Sequence, residues 1–191
     1  VGEMVQMDGS HHDWLENRGP ALVLISYIDD ATSRLSARFY DYEGTLPAME
    51  SFKRYTKRNG LPVSVYLDKH TTYKSPAKQT IEELLEDRKP KSQFERALAE
   101  LGVEVIHAHS PQAKGRVERS FRTLQDRLIK EMRLKGVRTK AEANRFLGPY
   151  LGGFNRRFSV AAAKPGNLHR PVPAGVDLDA VLSIQTKRVL R

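Results

Sequence analysis

Three carboxylates in this chain of 191 residues stand where metal-assisted phosphate chemistry would want them. Glu118 is a lone acid in a basic stretch, Ser110-Pro111-Gln112-Ala113-Lys114-Gly115-Arg116-Val117-Glu118-Arg119-Ser120-Phe121, with Arg122 just beyond. Cations in such a stretch hold a polyanion, and the carboxylate holds a metal. On this stretch alone, a surface acid paired with Arg122 at i+4 accounts for Glu118 equally well. Asp8 lies late in the alternating segment that begins at Met4, and Asp68 directly follows the run Val63-Ser64-Val65-Tyr66-Leu67. Three clustered carboxylates with no obligatory Cys or His favour hard divalent cations, Mg²⁺ or Mn²⁺. Two such ions about 4 Å apart clamp the attacking and leaving oxygens of a phosphodiester displacement.

The elements that must bring these residues together follow from periodicity. Met4 to Leu15 alternates as a strand and ends in a polar patch. Asn17-Arg18-Gly19-Pro20 is a turn, Ala21 to Ile28 an almost continuous apolar run suited to a buried strand, and Arg34 to Tyr42 a third strand. A helix starts at Gly44-Thr45, with Thr45 as its expected cap and Leu46, Met49, Phe52 and Tyr55 as its apolar face; Gly60 closes it. Val63 to Leu67 is a fourth strand. Residues 71–90 read as a polar insertion. Ser92-Gln93-Phe94-Glu95 is a capping box for a helix to Leu101, and Val103 to His107 a fifth strand.

The long helix from about Lys114 to Lys135 carries Val117, Phe121, Leu124 and Leu128 as its core stripe. Glu118 lies about 100° round from that stripe, at the border of core and surface. Thr139-Lys140-Ala141-Glu142 caps a last long helix that is expected to bury Phe146, Leu147, Tyr150 and Phe154. The order β-β-β-α-β-α-β-α-α implies an α/β fold, a mixed five-stranded sheet flanked by helices. If strands one and four are neighbours, Asp8 and Asp68 face each other at one sheet end, and the long helix brings Glu118 to the same point. Residues 1–160 read as one catalytic domain. Residues 161–191, rich in Pro and Gly, read as an extended linker and the start of a truncated C-terminal region, with a short helix over Asp177 to Leu182 and a strand beginning at Ile184.

Composition narrows the partner. Net charge is +9, and residues 114–158 alone hold thirteen Lys or Arg against four Asp or Glu. A localised positive stripe is the footprint of a nucleic-acid binder; a solvated helix face is the bland alternative. With no cysteine there are no disulfides and no thiolate metal site, which fits a reducing, cytoplasmic compartment. No apolar run reaches the roughly 20 residues of a membrane span. No signal peptide is visible, and a start without Met suggests a fragment.

Four blocks resemble a known family: Gln6-Met7-Asp8-Gly9-Ser10-His11-His12-Asp13-Trp14, Tyr27-Ile28-Asp29-Asp30-Ala31-Thr32, Tyr66-Leu67-Asp68-Lys69-His70 and His109 through Arg119. In order and spacing they look like the catalytic core of DDE transposases, closest to the ISNCY group of bacterial insertion sequences within the retroviral-integrase superfamily. The resemblance covers about residues 1–175. It implies an RNase H-like fold, Asp8, Asp68 and Glu118 as the acidic triad, and two Mg²⁺ or Mn²⁺ ions. It also implies water attack at the transposon end, then attack of the freed 3′-OH on target DNA. Double-stranded DNA and a homo-oligomer assembled on it are the implied partners, and an upstream helix-turn-helix region is implied to be missing from this chain. His109, Gln112, Lys114, Arg116, Arg119 and Arg122 are the candidate DNA contacts. Two departures stand out. Asp68 and Glu118 are fifty positions apart, which the insertion at 71–90 accounts for, and Gln125 stands where many relatives carry Lys or Arg.

Other polar residues have plainer readings. Asp29 and Asp30 suit a structural turn, Asp13 a local pair, and Trp14 packing rather than base stacking. His11, His12, His70 and His107 read as polar neighbours of the site. The rival functions are an RNase H-like nuclease that only hydrolyses and a non-catalytic DNA-binding module of the same fold.

Overall fold

Alternating and continuous apolar runs build the first three strands, and a hairpin-like succession joins them. In a computed structural model that describes residues 1–67, 91–107 and 115–186, with the backbone alone at Arg116, these are β1 (Met4–His12), β2 (Leu22–Asp29) and β3 (Leu35–Tyr40). There follow α1 (Thr45–Asn59), β4 (Ser64–Leu67), α2 (Gln93–Glu100), β5 (Glu104–His107), α3 (Gly115–Leu134), α4 (Lys140–Phe158) and the single turn α5 (Leu178–Val181). The expected insertion at 71–90 lies outside the described residues.

The sheet has five strands in the order β3-β2-β1-β4-β5. β1 pairs antiparallel with β2 and parallel with β4, and β4 pairs parallel with β5. All eight residues of β2 are buried because helices cover both faces. Val23, Ile25 and Tyr27 pack with Met7, Phe52, Leu67, Phe94 and Leu98 on the α1–α2 side. Leu22, Leu24 and Ile28 pack with Trp14, Phe39, Leu124, Leu128 and Leu147 on the α3–α4 side. The α3 stripe Val117, Phe121, Leu124 and Leu128 is buried as its spacing requires.

Helix ends follow local chemistry, with one correction. Ser92 and Glu95 satisfy each other's backbone N–H groups at the start of α2, and Thr139 and Glu142 do so at α4. At α1 the N-cap is Gly44, without a side-chain cap, and Thr45 is the first helical residue rather than the cap. Leu46 is 52% exposed, so the buried face of α1 is carried by Met49, Phe52 and Tyr55. On α4, Phe146 and Tyr150 are half-buried while Leu147 and Phe154 are buried. Phe146, Tyr150, Phe154 and Phe158 form a ladder of ring contacts at i,i+4, and Arg127 and Arg157 lie over the Phe158 ring.

The outer edge of β3 is met by α4. Asn155 accepts from the Leu35 N–H at 2.8 Å and donates to the Leu35 carbonyl at 2.8 Å. Asn144 does the same at Phe39, at 2.9 and 3.0 Å. Each amide thus mimics a neighbouring strand at one residue of an edge that would otherwise invite pairing.

Beyond α4 the chain returns across the sheet. Leu61 and Arg170 form an antiparallel bridge, and the Arg170 guanidinium donates to the Gly102 carbonyl at 2.7 Å. Tyr55 Oη and His169 Nε2 are 2.7 Å apart. Arg96 donates to the carbonyls of Val181 and Ser183, and Leu178 and Leu182 join the core beside α1 and α2. Asp177 caps α5, matching the short helix expected there. Residues 184–186 are irregular; the remainder of the strand expected from Ile184 lies outside the described residues.

Candidate active site

Asp8 sits near the middle of β1, on the face turned toward α3. Its side chain is half-buried, and the Gly9 N–H donates to its Oδ1 at 3.0 Å. The last ladder pair between β1 and β4 is Met7 with Leu67. The residue before Asp8 is therefore paired with the residue before Asp68. Asp68 itself lies outside the described residues.

Three contacts fix how α3 runs over β1. Gln125 Nε2 donates to Ser10 Oγ at 3.3 Å. Further along both segments, Arg18 Nη1 donates to the Val137 carbonyl at 3.0 Å and the Arg133 guanidinium meets Glu16 at 2.9 Å. Later residues of the helix thus meet later residues of the first segment. Moving back two turns from Gln125, about 10 Å along the axis, reaches Glu118; moving back two residues from Ser10, about 7 Å along the strand, reaches Asp8. Asp8 and Ser10 share one face of β1. α3 therefore carries Glu118 toward the Asp8 end of the sheet.

Glu118 is exposed at the start of α3, and further along the same helix Asp126 and Lys130 form an i,i+4 ion pair at 2.6 Å. Arg119 and Arg122 are exposed on the same first turns. His109, Gln112 and Lys114 lie outside the described residues, and so does the Arg116 side chain. Among the described residues no group of three His, Cys, Asp or Glu side chains is placed to hold a metal ion. Asp8 and Glu118 offer carboxylate oxygens only, a donor set that suits Mg²⁺ or Mn²⁺.

The plainer readings hold where they can be followed. Asp29 is buried and accepts from the Gly2 N–H at 2.6 Å and from Thr32 Oγ1 at 2.7 Å, so it closes its own turn. Gln6 donates to Asp30 at 2.9 Å, and Asp13 accepts from the Asn17 N–H at 3.1 Å. Trp14 is buried and donates to the Ser10 carbonyl at 3.0 Å. His107, at the end of β5, meets Glu95 at 2.8 Å. A cavity of about 430 Å³ opens at the β3 edge, lined in part by Arg38, Arg54, Lys57 and Arg58, and touches neither Asp8 nor Glu118.

One residue beside the Asp8 segment, Glu43, was not singled out by the sequence. Glu43, in the turn before α1, rests its carboxyl against Gly9 and lies 2.6 Å from His11 Nε2. Gln125, which stands where many relatives carry Lys or Arg, meets Ser10 on β1. The one signal for Glu43 was the glycine itself, since a residue without Cβ inside a strand marks a close approach.

Comparison with known proteins agrees with this architecture. No family model matches the chain. It is 42% identical to the transposase y4bF of Sinorhizobium fredii (strain NBRC 101917 / NGR234) over 92% of its own length and 38% of that protein. It is 35% identical to the transposase for insertion sequence IS1202 of Streptococcus pneumoniae over 83% of its own length and 33% of that protein. The chain thus spans little more than a third of the curated relatives it matches. Among solved structures it resembles the catalytic core domain of BIV integrase, with a TM-score of 0.59 at 17% identity over 94% of this chain and 96% of that one. It also resembles the HTLV-2 integrase catalytic core domain in complex with magnesium, with a TM-score of 0.55 at 14% identity over 75% of this chain and 80% of that one.

The fold is therefore that of an integrase catalytic core: the mixed α/β architecture expected from the order of elements, and RNase H-like as the resemblance implied. Both sequence relatives are transposases by name, and the chain is similar to them over most of its own length. Among the described residues no helix is long and apolar enough to cross a membrane.

Proposed function

We propose that the chain is the catalytic core of a DDE transposase of the ISNCY group, with Asp8, Asp68 and Glu118 as its acidic triad. The observation that carries this reading is the parallel register of β1 and β4, in which Met7 pairs with Leu67, together with the run of α3 over Ser10. Residues 1–160 are the catalytic unit, and 161–191 lead into a C-terminal region. The three carboxylates would hold two divalent cations, Mg²⁺ or Mn²⁺, which would supply Lewis acidity for phosphodiester displacement.

The chain's own residues do the rest. Arg119 and Arg122, with His109, Gln112, Lys114 and Arg116, hold DNA phosphates near Glu118, mostly without reading sequence. Asp8 is fixed on a strand and Glu118 on a helix, so the two acids approach the scissile phosphate from rigid supports. Hydrolysis at the transposon end frees a 3′-OH, and transfer of that 3′-OH joins the end to target DNA. Joining two ends calls for two or more copies on DNA, acting in the bacterial cytoplasm.

Glu118→Gln in the full-length transposase tests the assignment. It abolishes metal-dependent cleavage and joining while DNA binding persists. Normal joining by this variant would sink the triad, and simple nicks in place of joined, branched products from the parent would favour a hydrolytic nuclease.

A further inference from the structure

Asp8 needs a firm seat. Along β1, the described pairing with β4 stops at Met7, so from Asp8 to His12 the pairing described is with β2. Side chains from two other elements grip this half of the strand, one on each face. On the α3 face, Gln125 donates to Ser10 Oγ at 3.3 Å and Trp14 donates to the Ser10 carbonyl at 3.0 Å. On the opposite face lies Glu43. A Cβ built on Gly9 would stand 2.6 to 2.8 Å from the Glu43 carboxyl, closer than side chains tolerate. The same carboxylate is 2.6 Å from His11 Nε2, and its side chain is only 9% exposed.

A nearly buried carboxylate next to a proposed metal ligand is costly unless it is paired. His11 supplies a partner, and Gly9 supplies the space. Together they bracket the peptide that follows Asp8, whose N–H already bonds the Asp8 carboxylate. Loss of a residue that orients a ligand in this way typically costs about 10–100-fold in metal affinity.

We propose that Glu43 is a positioning residue of the site: seated on Gly9 and tied to His11, it holds the Asp8 segment from one face while Gln125 holds it from the other. This rests on Asp8 being a metal ligand. It also accounts for glycine at position 9, where a side chain would displace Glu43.

The test is Mn²⁺ titration of the 191-residue chain, read from the electron paramagnetic resonance of free Mn²⁺. Thermal unfolding is recorded for every variant. Glu43→Ala and Gly9→Ala each weaken Mn²⁺ binding by about tenfold or more, whereas the double variant is no weaker than either alone, because the clash and the lost carboxylate are one event. Glu43→Gln, which keeps the volume, weakens binding at an unchanged unfolding temperature and carries the test if Gly9→Ala does not fold. Asp8→Asn is the control. If it loses Mn²⁺ while the Glu43 and Gly9 variants bind like the parent, the positioning role is overturned and the triad stands. If the double variant shows the full sum of the two single effects, the proposed contact is overturned. If Asp8→Asn binds Mn²⁺ like the parent, the triad reading itself fails.

Discussion

Arg18 anchors the segment that follows α3, and it can be removed to measure that anchor. Val137 lies just past the end of α3, and its N–H closes the helix on the Met132 carbonyl at 3.0 Å. Here the Arg18 guanidinium donates to Val137 at 3.0 Å, with Met132 at 3.5 Å, from a side chain that is 21% exposed. A hydrogen bond from a charged group is worth about 1.5–3 kcal/mol, and a cation at a helix C-terminus adds about 0.3–1 kcal/mol. Arg18→Met keeps the apolar stem and removes both, so the expected loss is about 2–4 kcal/mol. For a domain of this size each kcal/mol moves the unfolding midpoint by about 2–4 °C, which puts Tm down by roughly 4–16 °C. Arg18→Lys keeps the charge but not the planar fork, and falls between the two. Urea unfolding and calorimetry together give the number. A midpoint for Arg18→Met within about 0.5 kcal/mol of the parent, the range of ordinary surface changes, would refute the anchor.

Three further outcomes are expected. Arg119→Ala and Arg122→Ala each lower the slope of log binding constant against log salt by about 1 on double-stranded DNA; an unchanged slope in both removes them from the DNA surface. Asn155→Ala leaves the backbone groups of Leu35 without their partners and costs about 1–3 kcal/mol in urea; sedimentation of the Asn144→Ala/Asn155→Ala double variant reveals self-association through the opened edge. Burial holds the His169 imidazole below its ordinary 6.5, with Asp29 opposing and the N-terminal ammonium reinforcing the shift. The neutral ring is favoured in the folded state, so its contribution is complete above about pH 6.5 and fades as pH falls through the lowered folded value. Hydrogen exchange at Leu61 and Arg170, corrected for intrinsic rates, follows that fade; a flat profile from pH 7 to 5 contradicts it.

Much of the fold was legible because its signals are local. Alternation marks β1 and β3, a continuous apolar run marks β2, and the capping boxes at Ser92 and Thr139 form as written. The stripe of α3 was readable at i, i+4, i+7 and i+11, whereas Glu118, expected at the border of core and surface, is exposed. What escaped depends on distant partners. Leu46 has the right spacing for the α1 face but is exposed, and Tyr150 is half-buried, since periodicity gives a direction and not the width of the neighbour covering it. Composition marked 161–186 as extended; it carries no sign that Arg170 would bond Gly102 or that Leu182 would enter the core. Glu43 belongs to a turn, and only the sheet brings that turn onto Gly9.

The two asparagines on α4 have a consequence for how this chain tolerates insertion and deletion. Asn144 and Asn155 are eleven residues apart, and eleven residues at 3.6 per turn return to nearly the same side of a helix. The backbone groups they grip, at Leu35 and Phe39, are four residues apart on β3. Helix and strand are thus two rulers matched at two marks. One residue gained or lost between 145 and 154 swings the second mark about 100° round the helix, and no sliding of α4 brings both back into register. Length changes in this chain should therefore be accommodated in its loops and excluded from this one stretch of helix, even though Gly148, Pro149 and Gly152 are exposed and look permissive.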